Sequence, residues 1–296
     1  MDMEVFAREI CTALKGRLGD GHKVEVKETR KNNGVILHGL LVSSEGQAVV
    51  PAIYLETFLE AYESGAPFGD IVQKLLDICH EEALKGQMDM GFFRSFGQVR
   101  DRICCRLIGR KGNEGLLEEI PYVEFLDLAI CFYYAYHGEE IGDGTILIYN
   151  SHMEMWDTCT AELFGLARRN TPRLFPWTCR SLAEVMESLG QQEGMEGMEG
   201  MDLPLKVLSN DKYTYGAICM LYPGVVDGLA AEAGRSLYIL PSSVHELILL
   251  PDSGGEPVEG LKDMVREVNR TQVAPEEVLS DSVYYYDIRK KMVSTK

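Results

Sequence analysis

The chain has 296 residues, of which 46% are hydrophobic and 25% charged, so it can bury the core of one large domain or of two ordinary ones. Its 46 acidic residues outnumber its 29 basic residues, which gives a net charge of −17. That charge argues against general nucleic-acid binding and against docking on anionic membranes, because both need a basic surface. We therefore expect neither a nucleic acid nor a membrane among the partners.

The cysteines and the N-terminus point to a reducing compartment. The eight cysteines form no Cys-x-x-Cys pair, and most of them lie in apolar runs, which is typical of buried free thiols. The N-terminal residues have neither a basic region nor a continuous apolar one, and no run approaches the roughly 18 apolar residues of a membrane span. These features predict a cytoplasmic protein without a signal peptide.

The first part of the chain is predicted to be a helix, a hairpin and further helices. Apolar residues at helical spacing predict helices over residues 2–17, 54–62, 71–84 and 92–108. Two strands, over 22–29 and 35–42, flank an Asn-Asn-Gly turn and predict a hairpin. The glycine-rich loop 109–115 predicts that this N-terminal region ends near residue 112.

The remainder, residues 113–296, is predicted to be a second domain in which strands and helices alternate. Strands are predicted over residues 127–136, 145–149, 205–208, 213–222, 236–240, 247–250 and 283–287, and helices over residues 155–169, 181–189, 225–233 and 261–268. Short connections between several strands require antiparallel neighbours. The fold class is therefore α+β, with a mixed, largely antiparallel sheet covered by helices and a smaller N-terminal helix-and-hairpin region.

A repeated Glu-Gly-Met sequence interrupts the second domain. Three glycines within residues 193–201, without an apolar period, predict a flexible loop at 190–202. A methionine-rich ligand surface is the alternative, since thioethers bind soft metals and adaptable apolar partners.

The densest group of reactive side chains lies in residues 242–246. As a catalytic site, it would use Ser242 or Ser243 as nucleophile, His245 as base and Glu246 as the carboxylate that orients the ring. As a structural feature, Ser243-x-x-Glu246 is a capping box that starts a turn of backbone after the strand that Pro241 ends. A ligand-contacting loop is a third possibility. The Gly-x-Ser-x-Gly motif of the best-attested serine sites is absent from the sequence.

Two basic islands interrupt the acidic chain. Residues 94–111 contain six basic side chains against Asp101, and residues 163–183 contain four arginines and no acid. Such islands favour a small anionic ligand or an acidic protein partner, although a solvated helix face also explains them. Arg102 and Arg106 are the ligand-contact candidates of the first island.

Two loop residues complete the set of ligand-contact candidates. Asn210 and Tyr215 lie at the connection between two predicted strands, where a turn role is the alternative. Neither a P-loop nor His-Glu-x-x-His occurs, and four of the six histidines lie near a carboxylate, as an acidic composition makes common. We therefore predict neither a metal nor a cofactor.

Several segments together carry a family resemblance. They are residues 145–152, Glu162-Leu163, Ala167, Asn170-Thr171, Leu208-Ser209-Asn210, Tyr215-Gly216-Ala217 and residues 240–246. In combination they resemble a bacterial family of uncharacterised proteins, a conserved domain of unknown function from intestinal anaerobes. The likeness runs over most of the chain and is best from about residue 116 onward. It implies a bacterial cytoplasmic protein, and it implies no activity, substrate or catalytic residue.

The sequence favours a non-catalytic binding or interaction protein over an enzyme. The alternative is a serine-dependent hydrolase that uses Ser242 or Ser243 with His245. The two hypotheses differ in geometry, because an enzyme needs the imidazole of His245 within hydrogen-bond reach of a serine hydroxyl.

Overall fold

A computed structural model describes residues 1–19, 21–44, 52–84, 90–138, 142–188, 205–255 and 257–296. The predicted flexible loop at 190–202 lies outside the described residues. The chain forms two compact units, the first comprising residues 1–99 and 136–145 and the second residues 100–135 and 146–296.

The helices and strands of the described residues number as follows. The helices are α1 (Met3–Leu18), α2 (Glu56–Glu63), α3 (Phe68–Leu84), α4 (Phe96–Val99), α5 (Glu114–Leu117), α6 (Asn150–Trp156), α7 (Thr160–Leu174), α8 (Leu182–Ser188), α9 (Val225–Ala233) and α10 (Val258–Thr271). The strands are β1 (His22–Arg30), β2 (Ile36–Ser44), β3 (Ile53–Tyr54), β4 (Ile103–Gly109), β5 (Tyr122–Phe125), β6 (Leu128–Gly138), β7 (Gly142–Leu147), β8 (Trp177–Ser181), β9 (Lys206–Asn210), β10 (Leu237–Pro241), β11 (Leu247–Pro251), β12 (Tyr284–Asp287) and β13 (Met292–Thr295). None of the described helices is both long and apolar enough to cross a membrane.

The first unit contains the helix and the hairpin that the sequence predicts at the start of the chain. Helix α1 buries Phe6, Ile10 and Leu14, whose spacing of four places them on one helix face. Strands β1 and β2 pair antiparallel around a turn in which Asn33 adopts a φ of 59° and Gly34 a φ of 71°. Asparagine and glycine adopt positive φ more readily than other residues do, which is why this turn can form here. The hairpin prediction is confirmed.

Two further sheets lie mainly in the second unit. The four-stranded sheet has the order β4-β6-β5, with β7 also pairing with β6, and the six-stranded sheet has the order β13-β12-β10-β11-β9-β8. Registers are antiparallel for the pairs β4–β6, β5–β6, β8–β9, β9–β11, β10–β11, β10–β12 and β12–β13. Helix α7 packs on β4, and α10 packs its Leu261 and Val265 against Tyr238 and Leu240 of β10. The α+β prediction is thereby confirmed.

Two element predictions are wrong. Residues 92–108 do not form one helix, because the chain makes short helical turns up to Arg102 and then the strand β4. Residues 213–222 do not form a strand, because Gly216–Leu221 is a 3-10 helix. Residues 100–112 lie in the second compact unit, where β4 pairs with β6 over seven residues. The division into domains at 1–112 and 113–296 stays a prediction.

Candidate functional site

The centre of the candidate site is Arg106 on β4. Side chains alternate along a strand, so Arg106 shares one face of the sheet with Cys104 and Ile108 and stands directly opposite Cys131 of β6. Those three neighbours are fully buried or nearly so, and Arg106 itself is half-buried. A guanidinium thus lies on an otherwise apolar sheet face.

The charge of Arg106 is uncompensated by the rest of the described chain. Its Nε atom is buried without a hydrogen-bond partner, and no carboxylate among the described residues forms an ion pair with it. A buried donor without a partner costs on the order of 1–3 kcal/mol, and more where the group is charged. The contact that Arg106 does make is with an aromatic ring.

That ring belongs to Tyr215, which contacts side chains from β4, from β6 and from the β10–β11 loop. The guanidinium carbon of Arg106 lies 4.6 Å from the centre of the Tyr215 ring. The imidazole of His245 stacks on the same ring, with centres 5.5 Å apart and planes 14° apart. Tyr133 of β6 lies at 5.5 Å with its ring tilted by 60°. A cation–π contact of this kind contributes about 0.5–2 kcal/mol, and it orients the guanidinium without neutralising it.

The backbone that presents Tyr215 is strained. Tyr213 and Tyr215 have φ values of 50° and 52°, in the left-handed region that bulky side chains seldom adopt. The buried side chain of Asn210 holds this loop: Oδ1 accepts from the N–H groups of Lys212 at 3.0 Å and Thr214 at 3.2 Å, and Nδ2 donates to the carbonyl of Thr214 at 2.7 Å. Left-handed backbone costs about 1–3 kcal/mol for each such residue, and clusters of it mark functional sites.

Gly216 lets the strained loop reach its position. A Cβ at this position would overlap Ser209 Oγ and the carbonyl oxygen of His245, and would lie 2.8 Å from the backbone nitrogen of Asn210. Ser209 Oγ donates to that same carbonyl at 2.8 Å, which ties β9 to the β10–β11 loop. Tyr215 and His245 are therefore brought together by an approach that a side chain at 216 would block.

The ring of His245 is held in position through its Nδ1 atom. Its Nδ1 accepts the backbone N–H of Tyr215 at 3.0 Å, so the neutral ring carries its proton on Nε2. That Nε2 faces Glu277 Oε1 at 3.6 Å. The 3-10 turn that carries Glu277 is held by its carbonyl, which accepts the N–H of Val244 at 2.8 Å.

The serines do not meet the imidazole. Residues 242–246 form the loop of the β10–β11 hairpin, and the bonds of its serines differ from those of the predicted capping box. Ser243 Oγ accepts the backbone N–H of His245 at 3.0 Å, and Ser242 Oγ donates to Glu246 Oε1 at 3.1 Å. Both hydroxyls are engaged in bonds that shape the loop.

Arg102 and two further arginines of the basic islands have structural partners. Arg102 donates from Nε to the carbonyl of Ala135 at 2.5 Å, and Arg173 donates to the carbonyl of Asp101 at 2.7 Å. Arg110 pairs with Glu124 at 3.0 Å. Asn170, within α7, donates to the carbonyls that precede and begin β4, at residues 100 and 103.

Burial keeps the neighbouring thiols and phenols protonated. It raises the pKa of Cys104 and of Cys131 to about 12, and it raises the pKa of Tyr133 well above its usual range. The charge of Arg106 lowers the pKa of Cys131 and of Tyr133, but less than burial raises it. These groups are neutral walls of the site at neutral pH, and they are not nucleophiles. Within the described residues, no three His, Cys, Asp or Glu side chains are grouped so as to hold a metal ion.

Comparison with models of protein families identifies the family of the chain. A family of unknown function, DUF5688, matches residues 3–288. The chain belongs to DUF5688. Neither curated proteins nor solved structures give a match.

In this DUF5688 protein, four of the sequence candidates meet in one place. The candidate site consists of Arg106, Tyr215, Asn210 and His245. Arg102 lies outside it and donates a structural hydrogen bond. The adjacent loop is stabilised by Ser242, Ser243 and Glu246.

Two further contributors, Ser209 and Glu277, were not identified as site residues from the sequence. Ser209 lies within an apolar strand segment, and Glu277 is one of many acids in an acidic chain. Tyr133 belongs to an aromatic run that predicts either a stacking surface or half-buried strand positions, and in the structure its ring packs against Tyr215.

Proposed function

We propose that this DUF5688 protein is a non-catalytic binding protein whose ligand is a small anion held at Arg106. The observation that carries the proposal is the half-buried guanidinium with a buried, unpartnered Nε and no ion pair in the described chain. A carboxylate or phosphate group supplies the charge-assisted hydrogen bonds that the protein itself leaves unmade.

The surroundings of Arg106 favour a small ligand over a polyanion. The net charge of −17 repels an extended anion such as a nucleic acid, so binding has to depend on short-range contacts. The ring of Tyr215 covers the cation, and Tyr133 and the ring of His245 pack against Tyr215. A hydrogen bond to a charged group contributes about 1.5–3 kcal/mol, which for one guanidinium fits modest affinity.

The alternative, a serine-dependent hydrolase, finds less support in the same geometry. His245 accepts a backbone N–H at Nδ1, and Nε2 faces Glu277 instead of a serine. We expect a fluorophosphonate probe to leave Ser242 and Ser243 unlabelled. Labelling of either hydroxyl that disappears in His245→Ala would establish the hydrolase in place of the binding protein.

We infer further that the protein is bacterial and acts in the cytoplasm. The resemblance noted from the sequence supports a bacterial source, with intestinal anaerobes as the expected group. All eight cysteines lie in the described residues and are free thiols, as a reducing compartment requires. Fractionation of a producing bacterium tests the location, and recovery from the periplasm would contradict it.

Isothermal titration calorimetry with inorganic phosphate and with succinate tests the binding proposal. We expect one of these two anions to bind the wild type and to lose about tenfold in affinity in Arg106→Gln. The matched control is Arg110→Gln, which removes the same charge from the loop after the same strand, and it is expected to bind as the wild type does. Equal binding by the two variants, or no heat with either anion, would contradict the proposal.

A further inference from the structure

The second unit contains a cavity away from the Arg106 face. Its volume is about 210 Å³, and it lies among β4, β6, α7 and the 3-10 helix Gly216–Leu221. Cys105 lines it, and successive side chains of a strand point to opposite faces, so this cavity and Arg106 lie on opposite sides of β4. The proposal below is therefore independent of the anion site.

The walls of the cavity are apolar apart from one cation. Phe125, Ile130, Phe164 and Ile218 contribute apolar surface, and Arg168 is the charged residue among its described lining residues. Arg168 is exposed, lies over the Phe164 ring at 5.7 Å, and has no hydrogen-bond or ion-pair partner in the described chain.

The neutral polar groups of the lining bond within the protein. Thr171 Oγ1 accepts the N–H of Cys105 at 3.0 Å and donates to the carbonyl of Ala167 at 2.7 Å. The hydroxyl of Tyr222 donates to the carbonyl of Phe175 at 3.0 Å. A ligand therefore meets apolar walls and one guanidinium, and it finds no carboxylate among the described lining residues.

We propose that this cavity binds a small aromatic carboxylate, with the ring inside and the carboxylate on Arg168. A cavity of roughly 150 Å³ lined by Leu, Ile and Phe is large enough for benzene, so the cavity described here accommodates one six-membered ring with a short substituent. Burial of the ring supplies affinity, and the guanidinium selects the anion because it forms charge-assisted bonds to a carboxylate.

Benzoate and its neutral analogue benzamide test the proposal at neutral pH. We expect benzoate to bind the wild type about tenfold more tightly than benzamide, and Arg168→Gln to abolish that preference. The control Arg169→Gln removes a neighbouring charge that does not line the cavity, and it keeps the preference. Methyl NMR is expected to show shifts at Ile130 and Ile218 on benzoate addition.

A second variant separates the effect of the cavity's shape on affinity from the effect of the Arg168 charge. Leu221 is a half-buried lining residue, and Leu221→Phe fills part of the cavity, so it is expected to weaken benzoate and benzamide alike. Equal affinity of the wild type for the two compounds, an unchanged preference in Arg168→Gln, unshifted methyls, or no binding at about 10 mM would each overturn the proposal.

Discussion

Two histidines, His152 and His245, hold the backbone in the same way. Each accepts an N–H at Nδ1, from Tyr149 at 3.1 Å and from Tyr215 at 3.0 Å. A ring nitrogen that accepts a hydrogen bond carries no proton, so the bond from Tyr149 to His152 favours the neutral imidazole. Burial acts in the same direction on His152, because desolvation lowers the pKa of its imidazole below the usual value of 6.5.

The lowered pKa of His152 predicts a loss of stability in acid. Below about pH 6.5 the unfolded chain binds more protons at this residue than the folded chain does. The stability that the neutral ring contributes is therefore present above that pH and is lost as the pH falls. We expect urea titrations to show a steeper fall in the free energy of unfolding between about pH 7 and pH 5 for the wild type than for His152→Asn. The asparagine can still accept the N–H of Tyr149, and identical slopes would contradict the prediction.

At the scale of elements, the sequence predicts best where one face of an element is buried. Helix α1 and the β1–β2 hairpin follow their apolar patterns closely. Strand β4 does not, because six of its seven residues are buried and the alternation that identifies a strand is lost. Its apolar residues then extend a helical pattern that begins at residue 92.

The sequence identified single residues of the candidate site but did not predict that they lie close together. Arg106 stood out by its charge, and Asn210 and Tyr215 by their place on a loop. Their proximity depends on how β4, β9 and the β10–β11 loop pack, and no local pattern reports such long-range packing. The 3-10 helix after Tyr215 was missed because its apolar residues match a buried strand equally well.

The close contacts around Gly216 predict that a methyl group added there lowers the free energy of unfolding strongly. Gly216→Ala has to push β9 away from the β10–β11 loop, because its Cβ meets backbone atoms that cannot rotate aside. We expect a loss of about 2–4 kcal/mol in the free energy of unfolding, measured with urea. The control Gly228→Ala lies within α9 with nothing within 4 Å of its Cβ, and should stabilise the protein by about 0.5–1 kcal/mol. A Gly216→Ala variant as stable as the wild type would contradict this account of the loop.

On the scale of the whole molecule, Asp127 connects the two sheets of the second unit. It lies in the turn between β5 and β6, and its carboxylate accepts hydroxyl groups of Ser280 at 2.7 Å, Ser282 at 2.8 Å and Tyr284 at 2.8 Å. Tyr284 is fully buried on β12, and burial raises the pKa of its phenol. One carboxylate thus accepts one donor on β12 and two donors in the segment that leads into β12.

Removal of this carboxylate is expected to destabilise the second unit strongly. Asp127→Ala leaves three hydroxyls without their acceptor, one of them on a buried ring, and should cost about 2–4 kcal/mol in urea unfolding. Tyr284→Phe removes one of the three bonds and should cost about 1 kcal/mol. If the two variants lose the same stability, the carboxylate does not connect the sheets in the way described.

The central claim is that the Arg106 guanidinium has no charged partner within the described chain because a bound anion supplies that partner. The most direct test is the free energy of unfolding of Arg106→Met, measured in urea with and without inorganic phosphate. Methionine fills similar space, keeps contact with Tyr215 and has no charge to leave unpaired. We predict that the variant is more stable than the wild type by about 1–3 kcal/mol without phosphate, and that phosphate stabilises the wild type alone. A less stable variant, together with an equal phosphate response in both proteins, would contradict the claim.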